Sequence, residues 1–249
     1  MRLSLKAAEE KNLADQLTEA IKSAKLDSVP NELLTPDNLA LQGSDGHTPL
    51  YHACFTGVLS LLPPGTISEK DVIQKGKDGI TPMHAAAIGR KWNILPKTWL
   101  TAKNLSIQDR KGEAPIHTIS ANGELPLVSA DIRSNAKVML LASSSGNSPL
   151  LLAAAHKQLN LLGPDIITMR NLQKQNKQGR NCYHALAVNG GLANLDPKLL
   201  STAVLATPDK AGIRPVDLAE RYHHLTSLPA SIKEIATALL KNKAPSVVI

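Results

Sequence analysis

Apolar positions recur along this chain with a nearly fixed period, and each recurrence follows a glycine. The six glycines are 33, 33, 34, 33 and 33 residues apart: Gly46, Gly79, Gly112, Gly146, Gly179 and Gly212. Four residues after each glycine stands an apolar residue, and three residues later a second one. Residues three apart share one face of a helix, so these pairs predict the buried side of six similar helices. A period in this range is typical of stacked repeat proteins.

The residues around each glycine predict a tight turn followed by a helix start. The most regular copy is residues 78–86, which read D-G-I-T-P-M-H-A-A. Glycine tolerates a positive φ at the turn, threonine offers an oxygen to cap the helix, and proline suits the first helical position. Ser148 and Asn181 replace the threonine in other copies, Ala114 and Arg214 lack its cap, and Cys182 replaces the proline.

The period of 33 with a T-P-L-H-x-A-like start resembles the ankyrin-repeat family, over about residues 28–242. This resemblance implies an all-α fold, an ankyrin-repeat solenoid of about six helix-turn-helix repeats with short β-hairpin-like turns and helical caps. It also implies that the histidines in the shared motif position, His84, His117 and His184, bond within the turns. Ankyrin repeats mediate protein–protein contacts, so the resemblance implies protein binding. The family's glycine after the first helix is matched by Gly57, Gly123 and Gly190, but Arg90, Lys157 and His223 stand at the other three equivalent positions.

The second half of each repeat departs from the family. Prolines follow leucine-rich turns at Pro63, Pro96 and Pro229, where the family has a long second helix. We therefore expect a break and then a short second helix, such as residues 97–105 or 165–172. Residues 31–39 resemble residues 97–105, which supports the period independently of the glycines. Residues 131–140 are expected to form a longer helix.

The pattern predicts three segments: an N-terminal capping helix within 1–27, a repeat stack over 28–242 and a tail over 243–249. A helix is predicted over residues 4–25, and its apolar stripe is Leu5, Ala8, Leu13, Leu17, Ile21 and Ala24. A C-terminal capping helix is expected near residues 232–241. A solenoid of 249 residues does not need one compact core, because each repeat buries surface against its neighbours.

Composition and cysteine usage limit the class of protein further. Hydrophobic residues make up 43% of the chain but aromatic residues only 2%, so the core is expected to be aliphatic. No apolar run is long enough to cross a membrane, and the first residues lack a secretory signal pattern. Cys54 and Cys182 lie four repeats apart and are expected to be buried free thiols, which is consistent with a reducing, cytoplasmic location.

Charge is distributed unevenly along the chain. Residues 1–46 hold five of the 28 basic and eight of the 21 acidic residues, a net −3, so the remainder carries a net +10. Basic residues cluster at the turns between repeats. A row of such turns would attract an acidic protein surface, and ordinary solvation of loops is the alternative. The predicted contact residues are Lys75, Lys77, Arg110, Lys111, Lys174, Lys177 and Arg180.

Both tryptophans, Trp92 and Trp99, lie in the repeat with the most regular motif. A tryptophan in a repeat stack can fill the core with its N–H bonded at the edge. It can also be an exposed anchor for a partner. The sequence leaves both possibilities open, so both residues join the predicted partner-binding set.

No pattern of catalytic or metal-binding residues is recognisable. Equivalent histidines are a full repeat apart, too far to share a metal, and His223 and His224 have no cysteine or acid cluster at ligand spacing. Metalloprotease, nucleophile-elbow and phosphate-loop motifs are lacking. The expectation is a protein that is not an enzyme, with no catalytic residues, no cofactor and no metal.

The primary hypothesis is a non-catalytic scaffold that binds a partner protein through the turns and the first-helix face, and that is monomeric on its own. One alternative is a bacterial secreted effector, translocated into a host cell, that blocks or tethers a host protein. Another is a basic nucleic-acid-binding module, since the pI is near 9.4. Nucleic acid is disfavoured because no stacking platform and no densely basic helix face are recognisable.

Overall fold

The computed structural model describes residues 2–242, with side chains from Leu5 onward. This range holds fifteen α-helices and eleven short 3-10 helices, and no residue in it is in a β-strand. The fold is therefore all-α, and the turns that were expected to resemble hairpins contain no strands. No helix within these residues is long and apolar enough to span a bilayer. The predicted tail, 243–249, lies outside the described residues.

The chain divides into two compact units, Met1–Asn122 and Gly123–Ile249. In the first unit, the helix Pro49–Thr56 packs against the helices Arg2–Lys22 and Pro82–Ile88, and Pro82–Ile88 packs against Pro115–Ala121. Short 3-10 helices connect these elements at Leu26–Ser28, Asn31–Leu33, Leu59–Leu61, Lys77–Gly79, Trp92–Ile94 and Lys97–Trp99. The α-helices of this unit are α1 (Arg2–Lys22), α2 (Pro36–Leu39), α3 (Pro49–Thr56), α4 (Glu69–Ile73), α5 (Pro82–Ile88), α6 (Ala102–Leu105) and α7 (Pro115–Ala121).

The second unit has a similar alternation of longer and shorter helices. The helix Cys182–Asn189 packs against Pro149–Ala155 and Pro215–Arg221. The helix Ala230–Lys241 packs against Thr202–Ala206 and Pro215–Arg221. Its 3-10 helices are Leu125–Leu127, Leu159–Leu161, Gly191–Asn194, Pro197–Leu199 and Leu225–Ser227. The α-helices are α8 (Ala130–Arg133), α9 (Ala136–Met139), α10 (Pro149–Ala155), α11 (Met169–Leu172), α12 (Cys182–Asn189), α13 (Thr202–Ala206), α14 (Pro215–Arg221) and α15 (Ala230–Lys241).

Six helices (α3, α5, α7, α10, α12 and α14) begin at the predicted sites and bury the predicted pairs. Five of them start at the motif proline and α12 starts at Cys182. Thr48, Thr81, Ser148 and Asn181 cap their helices by accepting a backbone N–H, whereas Ala114 and Arg214 provide no side-chain cap bond. All twelve predicted apolar residues are at most 2% exposed: Leu50, Ala53, Met83, Ala86, Ile116, Ile119, Leu150, Ala153, Tyr183, Leu186, Val216 and Ala219.

One or two positions after each of these six helices stands a residue with a left-handed backbone. Gly57, Gly123 and Gly190 have φ angles of 85, 73 and 77°. The three non-glycine residues at equivalent positions follow the same path: Arg90, Lys157 and His223 have φ angles of 58, 58 and 61°. The six aligned positions thus share one backbone conformation, and three of them carry side chains where glycine is favoured.

The second halves of the repeats are shorter than predicted. Within residues 97–105 and 165–172, the α-helices cover only Ala102–Leu105 and Met169–Leu172. Residues 131–140 are not one helix, and that prediction was wrong. Helix α8 ends at Arg133, and α9 begins after Asn135, whose side chain accepts the N–H groups of Lys137 and Val138. A capping asparagine competes with helix continuation, which explains the break.

The N-terminal helix packs through only part of its predicted stripe. Leu17 and Ile21 are buried, as is Ala14, and the helix packs against α2 and α3. Leu5 is 59% exposed and Ala8 is exposed. Ala24 lies beyond the helix end with φ of 53°. The predicted stripe was therefore wrong at Leu5, Ala8 and Ala24, because the helix extends past the surface that covers its second half. The C-terminal helix α15 matches its predicted position.

Both cysteines are buried and free. Burial raises the pKa of the Cys54 thiol, and burial likewise raises the pKa of Cys182 to about 12. Neither sulfur is therefore a ready nucleophile, because the reactive form is the thiolate.

Candidate functional site

Each turn before a first helix is closed by two backbone hydrogen bonds. In one turn, the N–H of Gly76 donates to the Ile80 carbonyl at 2.8 Å, and that of Gly79 donates to the Gly76 carbonyl at 3.1 Å. In the next turn, Asp109 pairs with Glu113 and Gly112 with Asp109 in the same way. A second class of bond joins the turns, because the N–H of Arg110 donates to the Asp78 carbonyl at 2.8 Å. The turns are thereby held in register.

The histidines of the shared motif position make the bonds that the resemblance implied. Nδ1 of His84 accepts the N–H of Thr81 at 3.1 Å, and its Nε2 lies 3.1 Å from the Glu113 carbonyl in the next turn. His117 accepts the Ala114 N–H at 3.1 Å. Since Nδ1 is an acceptor in His84, its proton lies on Nε2 and donates to the carbonyl. The ring therefore joins two turns and is structural.

His184 performs the same role in the second unit, whereas Asp217 bonds to the residue three positions before it. Nδ1 of His184 accepts the Asn181 N–H at 3.3 Å, and Nε2 faces the Ile213 carbonyl at 3.2 Å. Asp217 accepts the Arg214 N–H at 3.0 Å and also binds the Arg214 guanidinium through both carboxylate oxygens at 2.9 Å. This ion pair raises the pKa of Arg214, chiefly through the hydrogen bonds that its guanidinium donates to Asp217.

The four predicted contact cations of the first unit are exposed at these turns. Nζ of Lys75 donates to the Gln108 carbonyl at 2.7 Å, and Nζ of Lys77 donates to the Asp45 carbonyl at 3.2 Å. Arg110 forms an ion pair of 3.0 Å with Asp78, in which the two side chains are 76% and 54% exposed. Lys111 is exposed at the tip of the same turn. Three of the four are thus tethered near neighbouring backbone, and all remain open to solvent.

The three predicted cations of the second unit are also exposed. Lys177 anchors its turn by donating its backbone N–H to the Ser145 carbonyl at 2.8 Å, which leaves its side chain outside. Arg180 binds Asp209 at 3.1 Å, and the side chain of Asp209 is only 3% exposed. Desolvation would raise the pKa of Asp209, but bonds from the Ile213 N–H, Arg180 and the Ala211 N–H lower it overall. Lys174 lies just before this turn.

A groove runs beside the basic turns of the first unit, and we call it the first-unit groove. Its volume is about 420 Å³, within the size range of ligand pockets. It is lined by Ala40, Gln42, His47, Thr48, Leu50, Tyr51, Asp71, Gln74, Lys75, Gly76, Lys77, Ile80, Pro82 and Arg110. Three of the seven predicted cations therefore border one groove.

The stacked rings of His47 and Tyr51 line this groove, and Phe55 extends the stack outside the lining. The rings of His47 and Tyr51 lie parallel with centroids 4.0 Å apart, and those of Tyr51 and Phe55 lie nearly parallel at 6.4 Å. Phe55 is 40% exposed. Sequence reasoning missed these residues as site candidates. Part of the signal was available, because Tyr51 and Phe55 lie four residues apart on one face of α3 in a chain that is only 2% aromatic.

The two tryptophans differ in their surroundings. Trp92 is 2% exposed and belongs to the core, so its place in the partner-binding set was wrong. It starts the 3-10 helix after α5, where an apolar residue must cover the helix end. Trp99 is only partly buried, and its carbonyl accepts an N–H from the buried Asn104 at 2.8 Å. Trp99 therefore remains a candidate contact residue.

The second unit has a separate groove of about 370 Å³ that includes Arg180 in its wall. Tyr222, which is 47% exposed, and Val188, which is 38% exposed, contribute its apolar surface. Asn176 and Asn147 form a side-chain hydrogen bond of 2.8 Å in the same wall. This groove combines one cation with apolar and amide groups.

Within the described residues, no group of three or more His, Cys, Asp or Glu side chains is arranged to hold a metal ion. His52 does approach Asp45, with Nε2 at 2.8 Å from the carboxylate, and Lys22 lies 3.7 Å from the same oxygen. These contacts join α1, the first turn and α3. Burial lowers the pKa of His52 despite the neighbouring carboxylate.

Comparison with known proteins supports the fold alone. No family model and no curated protein sequence matches this chain. Among solved structures, it is similar to a chain in the structure of the predatory endopeptidase Bd0816 from Bdellovibrio bacteriovorus in complex with immunity protein Bd3460. The TM-score is 0.51 and the identity 22%, over 78% of this chain and 97% of the other.

Proposed function

We propose that this chain is a non-catalytic protein-binding scaffold built from about six ankyrin-like repeats with helical caps. It binds its partner through the exposed turn cations and the adjoining first-helix face. The observation that carries this proposal is the set of exposed cations beside a partly exposed aromatic stack in the first unit. Lys75 and Lys77 are held by carbonyl groups and remain open to solvent.

The ankyrin assignment is supported by position-specific bonds rather than by the period alone. The polar cap residue, the first-turn proline and the motif histidine each make the contact that the resemblance implies, at Thr81, Pro82 and His84. The substitution of aspartate at position 217 keeps the acceptor that the position needs. The short second helices are a departure from the family.

A non-catalytic role is supported by the bonds of the motif histidines and by the burial of the cysteines. His84 and His184 bond to backbone groups on both ring nitrogens, and both cysteines are buried. The structurally similar chain comes from a complex of an endopeptidase with an immunity protein. That context supports protein binding as the function to test first, although the identity is too low to transfer a partner.

The proposal is tested by reversing three turn cations together: Lys77→Glu, Arg110→Glu and Lys177→Glu. Each exposed charge contact contributes roughly 0.2–1 kcal/mol, so we expect the Kd for a captured partner to rise about tenfold. The control reverses Lys103 and Lys198, which are exposed lysines outside these turns. Unchanged affinity in the triple variant, with both proteins folded, would show that the turn cations are not the contact surface.

A further inference from the structure

The first-unit groove combines three features that select the kind of segment it can hold. Its lining combines lysines tethered by carbonyl groups, the stacked rings of His47 and Tyr51, and apolar residues that include Leu50 and Pro82. This inference deepens the proposed function and rests on it, because it names the chemistry of the partner. We propose that the first-unit groove binds a short acidic segment of the partner protein, whose apolar anchor packs on Tyr51 while its carboxylates bind Lys75 and Lys77.

The two lysines can bind the carboxylates of a ligand by donating hydrogen bonds to them. An ammonium group carries three donors. One donor of each Nζ is used by a carbonyl group, that of Gln108 for Lys75 and that of Asp45 for Lys77. Two donors on each lysine remain for a ligand. Because the carbonyl contacts already restrain the side chains, binding costs less rotamer entropy than it would for free lysines.

The carboxylates near the groove already bond to other groups of the protein. Asp71, the one carboxylate in the lining, accepts the backbone N–H and the hydroxyl of Ser68, both at 2.7 Å. Asp45 binds His52, and Asp78 binds Arg110. The lining therefore holds Lys75 and Lys77, together with Arg110 in its ion pair with Asp78, against one capped carboxylate. This balance favours a negatively charged ligand.

The stacked rings favour an aliphatic or aromatic side chain over a nucleic-acid base. His47 covers one face of Tyr51 at a centroid distance of 4.0 Å. A base needs an open aromatic face to stack on, whereas an apolar side chain can pack against ring edges. The Tyr51 hydroxyl has no protein hydrogen-bond partner among the described residues, so it can also bond to a peptide backbone.

The test is selection from a displayed library of random heptapeptides on the full-length protein, followed by Kd measurement with one labelled winner. We expect enriched peptides to carry at least two Asp or Glu residues around one large apolar residue. The Lys75→Glu and Lys77→Glu double variant should raise the Kd by about tenfold or more. Tyr51→Ala should raise it by about fivefold, and Lys103→Glu should leave it unchanged.

Thermal unfolding of each variant shows whether loss of binding follows loss of structure. If Tyr51→Ala does not fold, the Kd of the Lys75→Glu and Lys77→Glu double variant still tests the inference, because both lysines are exposed. Three results would overturn the inference: no enrichment of any peptide, winners without acidic residues, or winners that bind the lysine double variant equally well. Binding of single-stranded oligonucleotides in competition with the winners would assign the groove to nucleic acid and also overturn it.

Failure of this inference can be separated from failure of the proposed function. A whole partner protein that loses affinity on reversal of Lys177, but not on reversal of Lys75 and Lys77, would leave protein binding intact. In that case the contact lies in the second unit and the first-unit groove is not the site.

Discussion

At the residue scale, one motif position shows how different side chains meet the same physical need. The residue at position 84, 117, 184 or 217 accepts the backbone N–H of the residue three positions before it. A neutral imidazole can do this and still donate from its other nitrogen to the next turn. A carboxylate accepts only, and Asp217 therefore pairs with Arg214 within its own helix start.

The buried histidines predict a pH dependence of stability. Burial lowers the pKa of His84 and His184 from the ordinary value of 6.5, so folding favours the neutral rings. Their contribution to stability is complete above pH 6.5 and is lost as the pH falls below it, through the lowered pKa of the folded state. We expect the urea midpoint to fall between about pH 7 and about pH 5.

His84→Gln should reduce the pH dependence of that midpoint, because it removes one of the buried rings. His223→Gln, at an exposed ring, is the matched control and should keep the original dependence. Equal pH dependence in all three proteins would contradict the structural role assigned to His84.

The left-handed residues predict a stabilising substitution. Lys157 has a φ of 58° and is exposed, at a position where equivalent repeats carry glycine. Lys157→Gly should raise the free energy of unfolding by about 0.5–1 kcal/mol, since the left-handed strain exceeds the entropy cost of glycine. Lys157→Ala, which keeps the β-carbon, should give no such gain in urea unfolding. A loss of stability in the glycine variant would refute this account of the position.

At the element scale, close approach of helices α3 and α5 explains a glycine that the motif did not single out. A β-carbon added to Gly89 would lie 2.0 Å from the backbone carbonyl oxygen of Phe55. The backbone must therefore move if any larger residue is introduced. Asn122 and Asn189, at equivalent positions, instead bond to carbonyls of the preceding first helix, at Ala87 and Ala154.

Gly89→Ala should accordingly destabilise the protein by about 1–3 kcal/mol, the usual range for overpacking. Gly76→Ala is a suitable comparison, because its added β-carbon would meet its nearest neighbour only at 3.4 Å and its φ is negative. Urea unfolding measures both variants. A similar loss in the two proteins would mean that the contact with Phe55 is not the cause.

The first helices could be predicted from the sequence because their signals are local. The cap, the proline and the apolar pair lie within a few residues of each glycine, as at Thr81 and Met83. The second halves could not be predicted to the same accuracy. Their helices are only four or five residues long, and single caps such as Asn135 decide where each begins. Burial of Trp92 depends on neighbouring elements, which the local pattern does not describe.

At the scale of the whole molecule, apolar and charged residues occupy different places: the apolar pairs are buried inside each unit and the seven turn cations are exposed. The first-unit groove was not predicted, because it forms from residues on α3 and on three successive turns, which contribute His47, Lys77 and Arg110. Its stacked rings and its lysines are separated by more than twenty positions in the chain.

Salt dependence follows from this arrangement. Exposed charge contacts weaken when the Debye length shortens, from about 10 Å at 0.1 M to about 3 Å at 1 M salt. A partner held mainly by the turn cations should dissociate faster at high salt, with a smaller salt effect in the Lys77→Glu, Arg110→Glu, Lys177→Glu variant. A variant with the same salt effect as the unmodified protein would argue against these contacts.

The most direct measurement is affinity capture from native lysate with this protein as bait. The captured material is washed at low and at high salt, and the retained proteins are identified by mass spectrometry. Binding through basic turns predicts an acidic protein that is retained at low salt, lost at high salt and absent from the triple-reversal bait. Recovery of nucleic acid alone, or of partners that the triple-reversal bait retains equally at both salt concentrations, would contradict the account.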